Sequence, residues 1–289
     1  MITRLLKSFQ ITLEMIKMEH TLFALPFAFL GAFLGANGIP SLSRWWWIVL
    51  AMLGARSAAM AFNRLVDHHF DAQNPRTQGR ALPSGQLSRL FTIMFILVFS
   101  FLFFFACHQL NFLALALSPL ALLIIFFYSY TKRFTWTSHF FLGLSLACAP
   151  LGGWIAIRGT LEPGMLIFGL VVALWIAGGD ILYSCLDIDF DRSIGLFSIP
   201  AKWGITIALR IALLLHLAML FALAAALVYF QLQWISWIGF LLVFILLTAE
   251  HRIVSPTEIS RVNTAFFTLN AVISAVLFLA VAADLLSRR

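Results

Sequence analysis

Apolar residues fill this 289-residue chain in blocks of about twenty, each closed by a few polar residues. About twenty apolar residues in a helix cross the hydrocarbon core of a bilayer. On that measure the pattern predicts nine spans, at 21–38, 45–66, 90–108, 111–130, 138–157, 163–184, 205–230, 233–249 and 262–284. The separators His108-Gln109-Leu110-Asn111 and Gln231-Leu232-Gln233 are so short that the helices they join must be antiparallel neighbours. Two separators are longer, about 67–89 and 185–204, and both begin in acidic residues.

Composition sharpens the picture. The chain is 62% hydrophobic and 11% charged, with a mean hydropathy of +0.98, whereas a soluble domain is about 45–50% apolar. The expected fold is all-α, a single polytopic membrane domain over 1–289 with no soluble domain appended. Glu14, Lys17, Glu19 and His20 stand where a signal peptide would be apolar, so the N-terminus reads as an amphipathic lead-in. Cys107, Cys148 and Cys185 have no metal-ligand spacing and behave as small hydrophobes. The net charge of +7 is dispersed among short loops rather than laid along a stripe, which argues against nucleic acid as a partner. No obligate protein partner is evident either; the partner that composition implies is the lipid bilayer.

Lysine and arginine crowd alternate helix ends. One set of ends carries Arg4, Lys7, Lys17, Arg76, Arg80, Arg89, Lys132, Arg133, Arg192, Lys202, Arg252 and Arg261, the other only Arg44, Arg158, Arg288 and Arg289. The positive-inside rule then predicts a multi-pass protein of the inner (cytoplasmic) membrane, with the N-terminus and both acidic loops cytoplasmic and the C-terminus on the far side.

The acidic loops hold the candidate chemistry. Asn63, Asp67 and Asp71 are spaced i, i+4, i+8, which stacks three oxygen-bearing side chains on one helix face. Asp187 and Asp191 repeat the i, i+4 step, and Tyr183 and Asp180 extend that face one and two turns back. With Asp189, which is off the face, the six aspartates are half of the twelve acidic residues, and a carboxylate near hydrocarbon is costly enough to need a purpose. Carboxylate and amide oxygens are hard ligands suited to Mg²⁺, which bridges one or two carboxylates to substrate phosphates. The expected metal ligands are Asn63, Asp67, Asp71, Asp187 and Asp191, with the four aspartates as the catalytic set. The second and sixth spans each deliver one cluster to the same face, in the manner of a degenerate four-helix repeat that sets the clusters across a cavity. Helix capping or loop solvation would account for a single aspartate, but poorly for six in two spaced sets.

The motifs N-x-x-x-D-x-x-x-D at 63–71 and D-x-x-x-D at 187–191, with Asp180 and Tyr183 upstream, resemble those of the UbiA superfamily of intramembrane prenyltransferases. N-P-R-T-Q-G-R-A-L-P-S-G at 74–85 and Y-S-Y-T-K-R-F at 128–134 are similar to two of its loops. The resemblance covers essentially the whole chain. It implies nine transmembrane helices around a central cavity, a cytoplasmic cap made by the motif-bearing loops, and Mg²⁺ on a prenyl diphosphate. E-H-T-L-F-A-L-P-F-A-F-L-G-A at 19–32, G-A-R-S-A-A-M-A-F-N-R-L-V-D at 54–67 and D-F-D-R-S-I-G-L-F-S-I-P at 189–200 resemble the 4-hydroxybenzoate polyprenyltransferase branch, and within it the bacterial subgroup assigned to the futalosine route to menaquinone. Ser193 and Phe197 depart from the lysines of ubiquinone-pathway members, and Arg192 is the expected substitute.

On that reading a departing diphosphate needs cations beside the metal, and Arg76, Arg80, Lys132 and Arg133 are the candidates, Arg80 and Lys132 foremost. Arg56, two turns deeper than Asn63, should face the cavity and match the carboxylate of an aromatic acid bidentately; a structural ion pair with a cluster aspartate is the other reading. Tyr130 and Tyr183 could shield an allylic cation with their π faces, whereas His68 and His69 read as solvated. The expected reaction is Mg²⁺-dependent transfer of a polyprenyl group to a 4-hydroxybenzoate-like acid in menaquinone or ubiquinone biosynthesis. A cation-coupled transporter is the rival from another class, but its acids would lie at the midplane. Membrane phosphatidyltransferases are a second rival, and their single extended motif is not matched here, where His68 follows Asp67.

Overall fold

The computed structural model describes residues 10–16, 18–254, 262 and 268–288. Arg4, Lys7, Lys17, Arg261 and Arg289, which entered the orientation argument, lie outside the described residues, as do the side chains of Glu19 and His20. The long helices are α1 (Met18–Ala36), α2 (Leu42–Val66), α4 (Arg89–Leu110), α5 (Phe112–Thr131), α6 (Ser138–Arg158), α7 (Pro163–Ser184), α10 (Ile205–Tyr229), α11 (Trp234–Ile253) and α12 (Asn270–Ser287). Short helices α3 (His68–Gln73), α8 (Ile188–Ile194) and α9 (Ile199–Trp203) lie in the two long loops. Among the described residues eight helices are long and apolar enough to cross a membrane, and the remaining expected span is α1, whose apolar run is Leu25–Ala36. The protein is an all-α polytopic membrane protein.

The ends of the helices follow from local chemistry. Ser88 and Asn111 cap α4 and α5 by accepting from the Phe91 and Ala114 amides, and α6 and α8 stop at Gly159 and Gly195, where φ is +66° and +73°. Asn111 also donates to the Ile155 carbonyl, and Arg44 donates to the carbonyls of Leu110 and Ala156. These bonds lock the far ends of α2, α4, α5 and α6 into one layer.

In lipid there is no hydrophobic drive between helices, so association depends on close backbone approach and polar contacts. α6 packs along both α1 and α7. A Cβ on Gly31 would collide with the Pro150 carbonyl, and one on Gly153 with the carbonyl of Ala28. α7 is the central helix: Phe168, Val172, Trp175 and Ile181 are all buried against neighbours. Large apolar side chains such as Phe101, Leu123 and Phe221 point outward, as a bilayer-facing surface requires.

Both acidic stretches sit at the same end of the bundle, at the C-terminal ends of α2 and α7. Neither is an uninterrupted helix. α2 stops at Val66, Asp67 takes φ −88° and ψ 4°, and α3 starts at His68; α7 ends at Ser184 and a 3₁₀ turn over Cys185–Asp187 leads into α8. The Asp67 amide still donates to Asn63 at 2.9 Å and the Asp71 amide to Asp67 at 2.8 Å, so the first stretch keeps its ladder through the interruption.

Candidate active site at the acidic end of the bundle

Four aspartates meet four basic side chains at this end. Arg76 Nη2 is 2.9 Å from Asp187 Oδ2, Arg80 Nη1 is 2.6 Å from Asp71 Oδ1, Arg133 Nη2 is 3.4 Å from Asp67 Oδ1, and Lys132 Nζ is 3.9 Å from Asp191 Oδ2. The first of these pairs joins the two acidic stretches across the cap, and Asn74 Nδ2 reinforces it by donating to Asp187 Oδ1 at 3.3 Å. The basic side chains are 31–34% exposed, whereas those of Asp71, Asp187 and Asp191 are 9%, 14% and 2% exposed. Three of the carboxylates are thus more buried than the cations they meet, whereas Asp67, at 29%, is nearly as exposed as Arg133.

Each pairing has a local cause. The Asn74 carbonyl oxygen of the side chain accepts from the Arg76 amide at 2.9 Å, a turn that directs Arg76 back toward α7. Arg133 also donates to the Val66 carbonyl at 2.8 Å, closing the C-terminal end of α2 just before Asp67. Asn63 commits its amide nitrogen to Asp67 Oδ2 at 2.8 Å, so its amide oxygen is the atom left to accept. Ser198 donates to Asp191 Oδ2 at 2.9 Å, and Asp180 meets His139 Nδ1 at 2.7 Å.

Electrostatics in the cap are crowded. Burial raises the pKa of Asp67 and repulsion from Asp71 adds to it, while Arg133 and Lys132 pull it down without cancelling the rise. Burial works against the Lys132 ammonium, but Asp191, Asp180, Asp187 and Asp67 outweigh it and raise its pKa.

The donor set suits a hard divalent cation. Asp71 Oδ2 is buried with no hydrogen-bond partner among the described residues, an acceptor that needs a positive partner. Among the described residues no group of three or more His, Cys, Asp or Glu side chains closes a metal shell by itself. Mg²⁺ takes one or two carboxylates, waters and substrate phosphates rather than an all-protein cage, and the unpartnered Asp71 Oδ2 is an oxygen that suits it.

The tyrosines already hold cations. The Arg76 guanidinium lies 5.2 Å from the centroid of Tyr183 and that of Arg133 lies 5.1 Å from Tyr130. Arg56, in α2, has a buried Nε and no hydrogen bond or ion pair among the described residues, so the ion pair with a cluster aspartate is not formed. Arg192 turns its Nε to the Ala201 carbonyl at 2.8 Å instead of facing the carboxylates, and Asp189 is exposed. His68, expected in solvent, has a buried Nδ1, and His69 is exposed and bonded to Gln73.

Several residues of this end escape a reading by spacing. Arg64 is buried in α2 within electrostatic reach of Arg80, Asp71 and Asp67, and the Tyr128 hydroxyl lies among Asp180, Asp67, Arg64 and Arg56. Arg64 carried a signal, an arginine beside Asn63 in the motif itself. Asn74 carried another, the Asn-Pro turn. His139 and Ser198 carried none, because their partners lie 41 and 7 residues away across loops.

A family model described as the UbiA prenyltransferase family matches residues 24–279. A 4-hydroxybenzoate octaprenyltransferase of Vibrio cholerae is 32% identical over 171 residues, which is 59% of this chain and 60% of that protein. A protoheme IX farnesyltransferase of Methylococcus capsulatus is 29% identical over 197 residues, 67% of this chain and 66% of that protein. The chain thus spans about 60% of the length of the first of these curated relatives. The apo structure of a UbiA homologue from Aeropyrum pernix K1 superposes with a TM-score of 0.84 at 33% identity, covering 92% of this chain and 98% of that one. A UbiA homologue from Archaeoglobus fulgidus, solved with DMAPP and Mg²⁺, shares the fold at a TM-score of 0.69 and 20% identity, covering 94% of this chain and 99% of that one.

Proposed function

The chain belongs to the UbiA prenyltransferase family, and on that premise we propose that it transfers a polyprenyl group from a polyprenyl diphosphate to a 4-hydroxybenzoate-like aromatic acid, with Mg²⁺, in quinone biosynthesis. The observation that carries the reading is the apposition of two acidic stretches at one end of a membrane bundle, with a basic side chain on each of four aspartates. The names of the Vibrio relatives and the DMAPP and Mg²⁺ of the Archaeoglobus homologue support it. The lysine and arginine bias supports a cytoplasmic acidic end in the inner membrane.

In this reading Asp67, Asp71, Asp187 and Asp191, with the Asn63 amide oxygen, hold Mg²⁺. Mg²⁺ held by these oxygens would supply the charge screening that lets the diphosphate depart. Arg76, Arg80, Lys132 and Arg133 exchange their carboxylate partners for phosphate oxygens and balance the charge that grows on the leaving group. The allylic C–O bond breaks and the diphosphate leaves with the electron pair. Tyr130 and Tyr183, relieved of their arginines, present π faces to the allylic cation. Arg56 pairs with the carboxylate of the aromatic acid, whose ring carbon ortho to the hydroxyl forms the new C–C bond and then loses its proton. The prenyl tail runs between apolar helices toward lipid, which is why the enzyme is in a membrane.

The protoheme IX farnesyltransferase among the relatives keeps the acceptor within the proposal, and a lone Arg56 supports any acceptor that carries a carboxylate. The test is turnover in membranes, crossing 4-hydroxybenzoate, other aromatic acids and haem with geranyl, farnesyl and longer diphosphates. Prenylated aromatic acid that depends on Mg²⁺ is the expected product. Flux of a solute into sealed vesicles with no covalent product would overturn the reading in favour of a transporter.

A further inference from the structure

Phe197, Ser198 and Ile199 form a strap between α8 and α9, and each is tied to a different part of the acidic end. The Phe197 amide donates to the Lys132 carbonyl at 2.7 Å, Ser198 Oγ donates to Asp191 Oδ2 at 2.9 Å, and the Ile199 amide donates to His139 Nε2 at 3.2 Å. His139, on the first turn of α6, is fully buried, and its Nδ1 meets Asp180 Oδ2 at 2.7 Å. A backbone amide can only donate, so His139 Nε2 is the acceptor and the ring proton is on Nδ1, directed at Asp180. Among the described residues Asp180 has no other hydrogen-bond partner.

The arrangement solves two problems at once. Ile199 opens α9, and its amide is one of the first-turn donors that have no partner inside the helix. Ser198 caps the Ala201 amide, and the Ile199 amide is bonded to His139 instead. Trp136 and Trp203, with ring centroids 4.6 Å apart, pack the start of α6 against α9. We propose that His139 is a positioning residue of the reaction centre: through Nδ1 it fixes the Asp180 carboxylate, and through Nε2 it holds the strap that aligns Lys132 and Asp191. Being fully buried, it touches no substrate. The proposal rests on the prenyl-transfer reading above for the meaning of the three residues it positions.

Two substitutions separate its halves. His139→Asn retains a donor where Nδ1 stands and loses the reach to Ile199; His139→Gln retains an acceptor where Nε2 stands and loses the donor to Asp180. Hydrogen–deuterium exchange of strap amides in detergent, without substrate, reads the first half, and the split of KM against kcat reads the second. His139→Asn should speed exchange at 197–199 about tenfold and raise the KM for prenyl diphosphate about tenfold, with kcat nearly unchanged. His139→Gln should leave strap exchange and that KM as in the wild type and lower kcat roughly 10- to 100-fold, and Asp180→Asn should lower it to the same extent. Equal kinetic losses in both variants with unaltered strap exchange, or wild-type behaviour in both, would overturn the proposal. The wild-type protein tests it too, since an Ile199 amide exchanging at the rate of a free amide would overturn it even if neither variant folds. Exchange needs no substrate, so absence of prenylated product from the wild type would sink the functional reading and leave the strap result intact.

Discussion

Arg56 is a charge on a membrane helix with a buried Nε and no hydrogen bond or ion pair among the described residues, Tyr128 being its electrostatic neighbour. Such a residue costs about 2.5–3.5 kcal/mol at a helix centre even on lenient scales, and a bidentate carboxylate ligand would offset that cost. Arg56→Lys is expected to raise the KM for the aromatic acid about tenfold while that for prenyl diphosphate stays nearly constant; equal shifts in both would assign Arg56 to structure. Asp67→Ala and Asp191→Ala should each abolish turnover at matched protein content in the membrane, and near wild-type activity in both would remove the metal site. Asp67 also sets a pH dependence. Its folded pKa is raised above that of a free aspartate, chiefly by burial, so it takes a proton at a higher pH, and proton and metal compete for the same oxygens. The acid limb of kcat/KM should therefore lie above that of a free aspartate, and Arg133→Gln, which removes a charge that lowers this pKa, should move the limb further up. A limb that moves down or stays fixed in that variant would uncouple it from Asp67. At this scale the i, i+4 spacing made the acids legible. Their cations, Arg76, Arg80, Lys132 and Arg133, were named from the loops, but which carboxylate each meets was not legible, because Arg76 finds Asp187 111 residues away, and no spacing rule reaches that far.

Helices were the most legible elements. The span expected at 163–184 is Pro163–Ser184 and that expected at 138–157 is Ser138–Arg158, since in lipid the length of an apolar block is itself the helix length. The breaks at Asp67 and Cys185–Asp187 were not legible, because a carboxylate face at helical spacing looks the same whether its ladder is continuous or bent through one residue. The strap at 197–199 was also hidden, being held by backbone amides on side chains and carbonyls of distant elements rather than by any residue pattern. Element packing depends on glycines in a way that can be tested. Gly153→Leu would drive a side chain into the Ala28 carbonyl and force α1 from α6, so it should destabilise the protein by roughly 1–3 kcal/mol or more, read by thermal unfolding in detergent. Gly79→Ala, whose Cβ meets nothing within 4 Å, should stay within about 0.5 kcal/mol of the wild type. Comparable losses in the two variants would mean that the α1–α6 approach is not what holds those helices together.

At the scale of the whole molecule, hydropathy and charge bias predicted a multi-pass bundle with its acids at one end, and the described helices form such a bundle with both stretches at that end. What they could not reveal is that the acidic end neutralises itself. Four internal ion pairs join the two sets of side chains, so in the ligand-free protein each of the four aspartates already has a cation beside it, and of their buried oxygens only Asp71 Oδ2 is left unpartnered among the described residues. Mg²⁺ alone would take the carboxylates and leave four cations without partners. Diphosphate alone would take the cations and leave four carboxylates crowded together, which at this burial is costly. Only the two together give both sets a partner, so their binding should be strongly cooperative. By mass action a ligand at one hundred times its dissociation constant stabilises the folded state by about 2.7 kcal/mol. Thermal unfolding in detergent should therefore show a clear rise with Mg²⁺ plus inorganic diphosphate and little change with either alone, while EDTA should abolish turnover without lowering the melting temperature of the ligand-free protein. Equal stabilisation by Mg²⁺ alone, or a collapse on chelation, would show that the ion pairs do not stand in for the ligands.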